Sequence, residues 1–334
     1  MRPLRVLTWH IHGSYLYYLT HAHQEFFVPS RPGRPDGYAG RTPSYPWPDN
    51  LHEVPAEEVQ NLEFDCVLFQ SHKNYLEDQY DILTEAQRRL PRIYLEHDPP
   101  REHPTDTRHP VDDPDVLLVH VTHFNDLMWD SNRTPTHIIE HGVVIPDGVR
   151  WTGELPRGVV VVNNMRLRGR RLGLDIFEQA RREVPLDLVG MGWQEVGGLR
   201  EVRHRDLAEF SSHYRFFFNP IRYTSLGLAV CEAMMLGMPV VGLATTEMVA
   251  VVENGVSGFL DTDVGRVIAA MRELLDDPGL ARHLGEGARR TAWERFAIGR
   301  FARDWDETFA RVAGRPPAAA VSVPRELQPV GGVS

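Results

Sequence analysis

The segment TSLGLAVCEAMMLGMPVVG (residues 224–242) contains one carboxylate, Glu232, among apolar side chains. The pattern predicts a buried helix that ends at Gly237 and runs into a buried strand, because Pro239 prevents the helix from continuing. An ionised carboxylate inside such a helix is costly unless it is paired or accepts hydrogen bonds. Either an arginine or backbone amides satisfy Glu232, or it accepts hydrogen bonds from the vicinal hydroxyls of a ligand such as a ribose.

The start of the same helix is a candidate phosphate site. The first N–H groups of a helix have no intrahelical partner and attract anions. Thr224 and Ser225 are candidates to cap this helix, and Gly227 lets a ligand come close to the backbone. Phosphate and ribose would then contact one helix.

Arginines cluster in NNMRLRGRRLGLD (residues 163–175), at Arg166, Arg168, Arg170 and Arg171. Guanidinium groups can form paired hydrogen bonds to phosphate oxygens, so this cluster is a candidate diphosphate site. The alternative interpretation is an exposed arginine-rich loop.

Histidines concentrate in the first half, where 13 of the 16 precede residue 150. They include His10 and His12 at a strand end and the pair His120 and His123. Imidazoles on strand ends can gather Zn²⁺, so a metal-dependent hydrolase is an alternative function. It would need carboxylates and further histidines on successive strands of one barrel, which the strand pattern does not supply.

The elements that must position these residues alternate between short apolar runs and polar helical segments. Such alternation favours parallel sheets covered by helices on both faces. The predicted strands are residues 4–9, 25–29, 64–70, 92–98, 116–122 and 137–143, followed by 158–164, 186–192, 215–220 and 239–244. The predicted helices include residues 80–90, 173–184, 205–214, 263–276 and 278–312.

The predicted fold is α/β, with two tandem Rossmann-like, doubly wound domains that face each other across a cleft. A break near residues 146–156 separates an N-terminal domain (1–148) from a C-terminal domain (149–313), and the tail 314–334 is predicted to be disordered. Residues 30–50 form a long loop rich in proline, glycine and aromatic residues. Because open α/β sheets bind ligands at the carboxyl ends of their strands, two substrates are expected in the cleft.

The composition narrows the classes of partner. The net charge is −10 and Lys73 is the only lysine, which argues against general affinity for nucleic acid or anionic membranes. Cys66 and Cys231 lie in apolar runs and suggest no disulfide framework. With neither a signal peptide nor a run of about 20 apolar residues, the sequence predicts a cytoplasmic protein.

The second half resembles retaining glycosyltransferases of family 4, which have the GT-B fold. SLGLAVCEAMMLGMPVVG and TEMVAVVENGVSGFLDTD (246–263) are similar, in order, to a block of about 40 residues in that family. By position, Glu232 resembles the glutamate that binds the nucleotide ribose. Ser225, Leu226 and Gly227 resemble the loop whose amides hold the donor sugar and diphosphate. Thr224 replaces an earlier glutamate of the motif, which contacts the transferred sugar.

The resemblance extends more loosely to both domains. Arg166 and Arg171 have roughly the spacing of the arginine and lysine that neutralise the diphosphate in the family. His97, at the end of RIYLEHD, resembles a histidine that points into the cleft near the donor sugar. Gly13 falls in the position of a loop that approaches diphosphate or acceptor, and His141 replaces an asparagine before the hinge. A final helix at about 288–312 is expected to cross back to the first domain.

The resemblance implies retaining transfer of a sugar from a nucleotide diphosphate sugar to an acceptor hydroxyl in glycan biosynthesis. His97, Arg166 and Arg171 are the expected catalytic residues, and neither a metal nor another cofactor is expected. The acceptor is a glycan, a lipid or a small molecule, and a lipid acceptor would bring a peripheral contact with the inner face of the membrane. Because Thr224 carries no charge, a non-catalytic nucleotide-sugar-binding protein of the same fold is a further alternative.

Overall fold

The computed structural model describes residues 2–316 and divides their strands between two sheets. Most of the tail predicted to be disordered, residues 317–334, lies outside the described residues. The strands of the first sheet are β1 Arg5–Thr8, β2 Glu25–Ser30, β3 Leu51–Pro55, β4 Cys66–Phe69, β5 Arg92–Glu96, β6 Val116–His120 and β7 Thr136–Ile138. Those of the second are β8 Leu155–Val161, β9 Leu186–Val189, β10 Tyr214–Asn219, β11 Val240–Leu243 and β12 Gly258–Asp261.

Helices cover the faces of both sheets. In chain order they are α1 Gly13–Leu19, α2 Gln79–Ile82, α3 Glu85–Arg88, α4 His123–Met128, α5 Met165–Arg168, α6 Leu174–Ala180, α7 His204–Ser212, α8 Leu228–Leu236, α9 Met248–Val251, α10 Val264–Asp276, α11 Pro278–Arg295 and α12 Ile298–Val312. Within the described residues, every helix is too short or too polar to cross a bilayer.

All pairings between these strands are parallel. The first sheet has the order β3-β2-β1-β4-β5-β6-β7 and the second the order β12-β11-β10-β8-β9. All six residues of β10 are buried, as expected for a central strand covered on both faces. The predicted fold class, two doubly wound α/β units, is confirmed.

Two edge strands, β3 and β12, were not predicted. Both mix buried with partly or fully exposed residues and are only four or five residues long, so neither forms a continuous apolar run. The predicted helix at residues 80–90 is instead two short helices, α2 and α3, with a break between them. The backbone is extended at Leu83, and Thr84 starts a new helix by a reciprocal cap with Gln87.

The last predicted helix, residues 278–312, is two helices that meet at Phe296 and Ala297. The carbonyl of Phe296 accepts a hydrogen bond from the N–H of Val143 (3.0 Å), in the segment between the two sheets. The second helix, α12, then packs against the first domain. Its Trp305 donates a hydrogen bond to the Tyr15 hydroxyl (3.2 Å). The predicted return of the final helix is therefore confirmed.

Candidate functional site

A cavity of about 360 Å³ lies between the two domains, beside α8. Tyr17 and Tyr18 of α1 line it from the first domain, together with residues 144–147 of the connecting segment. From the second domain its walls are mainly apolar side chains of α7 and α8, with Glu232 among them. The cavity therefore combines a mostly buried carboxylate, Glu232, and an exposed one, Asp147, with a largely apolar interior, as small-molecule sites commonly do.

Glu232 lies in this cavity with 15% of its side chain exposed. Its Oε1 accepts a hydrogen bond from the Tyr18 hydroxyl (2.8 Å) and is 3.4 Å from Nε2 of His204. Within residues 2–316, no arginine or lysine forms an ion pair with it. Glu232 is thus not held by an arginine away from the cleft, and its role as a ribose ligand stays a prediction.

The start of α8 differs from the prediction that Thr224 or Ser225 caps it. The capping position is Gly227, and among residues 2–316 no side chain accepts a hydrogen bond from the first N–H groups of the helix. Thr224 and Ser225 lie before the capping position. They follow Arg222 and Tyr223, whose N–H groups donate hydrogen bonds to the carbonyl of Arg171. The uncapped helix start is therefore available to an anionic ligand.

Backbone contacts fix the loop that leads into α8. The carbonyl of Leu226 accepts a hydrogen bond from Nε2 of His141 (2.7 Å), across the domain boundary. Burial lowers the pKa of His141 to about 4, so the ring is neutral at neutral pH. A Cβ on Gly227 would have no atom within 4 Å, so the space above this glycine is open to a ligand.

The predicted diphosphate arginines have different surroundings. Arg166 is exposed on α5, whereas Arg171 is half-buried in the 3-10 turn that follows it. Burial, together with the charges of Arg101 and Arg168, lowers the pKa of Arg171. Arg101 follows β5 of the first domain and is paired with Asp98. The structure thus brings Arg171 together with Arg101 and Arg168 in the cleft, and sequence reasoning did not identify Arg101.

His97 follows β5 and packs beside the ring of His12, with centroids 4.2 Å apart. Its Nε2 donates a hydrogen bond to Oε1 of Gln70 (3.1 Å). Burial, followed by the nearby rings of His12 and His141, keeps the pKa of His97 well below its usual value. His97 is therefore neutral, with the proton on Nε2 donated to Gln70, and its Nδ1 lone pair can accept a hydrogen bond from a sugar hydroxyl.

Gly13, the first residue of α1, is close to the ring of Tyr45 from the predicted loop. A Cβ on Gly13 would lie 2.6 Å from that ring, so glycine is needed here to accommodate Tyr45. Tyr45, which packs on Trp47, also reaches across to the second domain, where its ring centroid is 5.1 Å from that of His204. The loop therefore packs over the interdomain cavity. Its aromatic content alone did not predict this location.

The candidate sites share one topological position. His97 follows β5 and Gly13 follows β1 in the first sheet, while the arginine cluster follows β8 and the loop 224–227 follows β10 in the second. All four segments leave the carboxyl ends of parallel strands, where open α/β sheets bind ligands. Tyr18 is the main contact that sequence reasoning missed, because nothing in YLYYL marks a partner for an acid elsewhere in the chain.

The histidines proposed for a metal-dependent hydrolase do not come together. Nδ1 of His10 bonds the carbonyl of Gly40, and His120 is near Asp126 (3.7 Å). Within the described residues, the group that could hold a metal ion is instead His72, Glu96 and His109.

The His72, Glu96 and His109 group fits a metal poorly. Nδ1 of His109 accepts a hydrogen bond from the N–H of Val111 (3.1 Å), so the ring proton is on Nε2, which points to Glu96 (3.1 Å). A metal on Nε2 would move that proton to Nδ1, against the N–H of Val111. Burial raises the pKa of Glu96 to about 7. The group is therefore better described as a hydrogen-bonded pair with an exposed neighbour, His72.

Residues 157–277 match a family model described as Glycosyl transferases group 1. The match begins in β8 and ends just after α10, so it covers most of the second sheet, the arginine cluster and α8. No curated protein matches the chain.

Solved structures resemble almost the whole chain. Sucrose-phosphate synthase from Thermosynechococcus elongatus has a TM-score of 0.67 and 14% identity, over 93% of this chain and 100% of that one. HepE from Anabaena, solved with UDP-glucose, has a TM-score of 0.68 and 16% identity, over 92% and 100%. A glycosyltransferase from Rickettsia africae ESF-5 has a TM-score of 0.65 and 12% identity, over 93% and 99%. At these identities the likeness establishes the fold.

Proposed function

We propose that the chain is a glycosyltransferase that uses a nucleotide diphosphate sugar as donor, because residues 157–277 match the glycosyl transferases group 1 model and the fold is like that of solved glycosyltransferases. The sugar is transferred to an acceptor hydroxyl with retention of anomeric configuration. The observation that carries this proposal is the position of Glu232, in the interdomain cavity and one helical turn from the uncapped start of α8.

The nucleoside and the diphosphate would bind along α8. The carboxylate of Glu232 accepts hydrogen bonds from the ribose hydroxyls, which as charge-assisted bonds are stronger than neutral ones. The amides at the start of the helix, near Ser225, Leu226 and Gly227, donate to the diphosphate. One helix thus sets the distance between the two parts of the donor.

Arginines would stabilise the diphosphate as it leaves. Arg171 is half-buried and faces the first domain, where it is near Arg101. Arg166 is exposed and would contribute mainly to the field around the site. Because positive charge placed where negative charge develops lowers the barrier, these groups would supply much of the catalysis without a metal or another cofactor.

The sugar would lie between His97 and Thr224. Thr224 offers one hydroxyl where the family has a carboxylate, so fewer sugar hydroxyls can be held by charge-assisted bonds. In the proposed step, the acceptor oxygen attacks the anomeric carbon from the side of the departing diphosphate. The bond from that carbon to the phosphate oxygen breaks, and the phosphate oxygen takes the proton of the acceptor. Closure of the domains would exclude water from this step.

The donor and acceptor remain to be selected by experiment. HepE was solved with UDP-glucose, so UDP sugars are the first donors to test. A glycan, a lipid or a small molecule is proposed as acceptor, and a lipid would require contact with a membrane surface. Neither alternative is favoured: the histidines of the hydrolase hypothesis lie apart, and the family match is to transferases.

Calorimetric titration with UDP, GDP and ADP tests the proposal. We expect one of them to bind, and its sugar conjugates to release the nucleoside diphosphate when a suitable acceptor is supplied. Proton NMR of the first product gives the anomeric configuration, which should match that of the donor. Failure of all three nucleotides to bind at millimolar concentration would contradict the proposed function.

A further inference from the structure

Tyr18 occupies the carboxylate that the proposed function assigns to the ribose. Its hydroxyl donates to Oε1 of Glu232 (2.8 Å) and is 3.1 Å from Nε2 of His204. Because the hydroxyl proton is used on Glu232, the Tyr18 oxygen can accept from Nε2–H of His204. The three groups therefore form a chain of hydrogen bonds from His204 through Tyr18 to Glu232.

The position of Tyr18 makes this contact an interdomain one. Tyr18 belongs to α1 in the first domain, whereas Glu232 and His204 belong to α8 and α7 in the second. Tyr18 is buried, and burial beside Glu232 raises the pKa of its hydroxyl well above the usual value. The hydroxyl is therefore protonated and a donor at neutral pH.

A tyrosine hydroxyl and a ribose hydroxyl offer the same chemistry to a carboxylate. Each presents an O–H donor at about 2.7 Å, and Glu232 is partly exposed only towards the cavity. A ribose that approaches from the cavity meets an oxygen that already accepts a bond. It must either displace Tyr18 or use only the second oxygen of the carboxylate.

Resting on the proposed function, we propose that Tyr18 is a positioning residue that takes the place of the ribose on Glu232 in the nucleotide-free enzyme. The incoming ribose displaces its hydroxyl. Binding of the nucleoside thereby exchanges a contact between the two domains for a contact with the donor. Nucleotides that lack ribose hydroxyls cannot make this exchange. The Tyr18 hydroxyl therefore does not compete with them, and its removal should not change their affinity.

The test compares wild type with Tyr18→Phe, which removes only the hydroxyl. Tyr80→Phe is the control, because Tyr80 is exposed on the first domain, away from the cavity. Calorimetry measures binding of UDP, GDP and ADP, and then of the 2′,3′-dideoxy form of the best binder. Because a hydrogen bond to a charged group no longer has to be broken, we expect Tyr18→Phe to bind the ribonucleotide at least about tenfold more tightly. Its affinity for the dideoxy form should equal that of wild type.

Two further measurements separate this role from a structural one. In the double variant Tyr18→Phe with Glu232→Gln, the gain in ribonucleotide affinity should disappear, since the competition acts through the carboxylate. A structural role would instead lower the melting temperature of Tyr18→Phe and change the affinities of both nucleotides equally. That result, or unchanged or weaker ribonucleotide binding by Tyr18→Phe, would overturn the inference while leaving the proposed function intact. If wild type and every variant bind no nucleotide, the proposed function fails and the inference with it.

Discussion

Replacing Glu232 by alanine tests the ribose contact quantitatively. In the bound state the carboxylate is expected to accept two ribose hydroxyls, each worth about 1.5 to 3 kcal/mol as a bond to a charged group. In the free state it already holds one such bond, from Tyr18 at 2.8 Å, which binding must give up. The net loss on substitution is therefore about 2 kcal/mol, or roughly a 30-fold weaker nucleotide.

The same substitution should leave the fold intact. The carboxylate is mostly buried, so its removal relieves a desolvation cost while it deprives Tyr18 of an acceptor. The Tyr18 hydroxyl can donate instead to Nε2 of His204, 3.1 Å away, if that ring carries its proton on Nδ1. We expect the free energy of unfolding to change by about 1 kcal/mol or less, which is the usual size for a point variant.

The assay is calorimetric titration of wild type, Glu232→Ala and Glu273→Ala with the nucleoside diphosphate that binds best, together with thermal unfolding of each. Glu273 is an exposed carboxylate on α10 in the same domain, so its loss makes the same change of charge away from the cavity. Unchanged nucleotide affinity in Glu232→Ala, with a lower melting temperature than Glu273→Ala, would refute the reasoning. The acid would then serve the structure of the domain interface.

Four further substitutions probe the surroundings of this helix. Arg171→Ala should lower kcat/KM by about 100-fold and Arg166→Ala by less than about tenfold in a transfer assay, because only Arg171 is half-buried in the cleft. Thr224→Glu should change the preference among donor sugars, measured as relative rates, since it adds a carboxylate beside the sugar. His141→Asn should reduce the loss of stability in acid. Folding keeps His141 neutral down to about pH 4, while the unfolded chain takes up its proton below about 6.5. Between pH 7 and 5, the free energy of unfolding measured with urea should therefore fall about 2 kcal/mol less in the variant than in wild type.

Each of these expectations has a clear contrary result. Equal decreases in kcat/KM for Arg171→Ala and Arg166→Ala would mean that the more buried arginine is not the main ligand of the phosphates. Identical donor preferences in wild type and Thr224→Glu would make this position silent. An unchanged pH dependence in His141→Asn would mean that the buried ring does not govern acid stability.

The central strands could be predicted because they are buried on both faces. β10, YRFFFN, has three consecutive phenylalanines, and all six of its residues are buried. The end of α8 was equally clear, since Gly237 adopts the left-handed conformation (φ 97°) and Pro239 follows. The strands β3 and β12 were missed because each mixes polar with apolar residues and is only four or five residues long.

The local environment of the site was only partly predictable. Thr224 and Ser225 are common capping residues, but hydrogen bonds from Arg222 and Tyr223 to Arg171 hold the chain away from the helix until Gly227. Threonine and serine do prefer capping positions, so the prediction followed from their ordinary chemistry. The backbone contact that overrides it joins segments about 50 residues apart, which no local pattern encodes.

Contacts between the domains were the least predictable part. Tyr18 and Glu232 are 214 residues apart in the chain, and Phe124 donates its N–H to Glu247 over a separation of 123 residues. Such pairs depend on how two separately folded units face each other. The sequence indicated that a cleft exists, because two βα series follow one another, but it did not indicate which side chains cross it.

A crystal structure with the best-binding nucleoside diphosphate tests the central claim most directly. The account predicts that both ribose hydroxyls lie within hydrogen-bond distance of the Glu232 carboxylate, with the diphosphate at the start of α8 near Gly227. A nucleotide bound in another part of the molecule, with Glu232 untouched by its ribose, would contradict it.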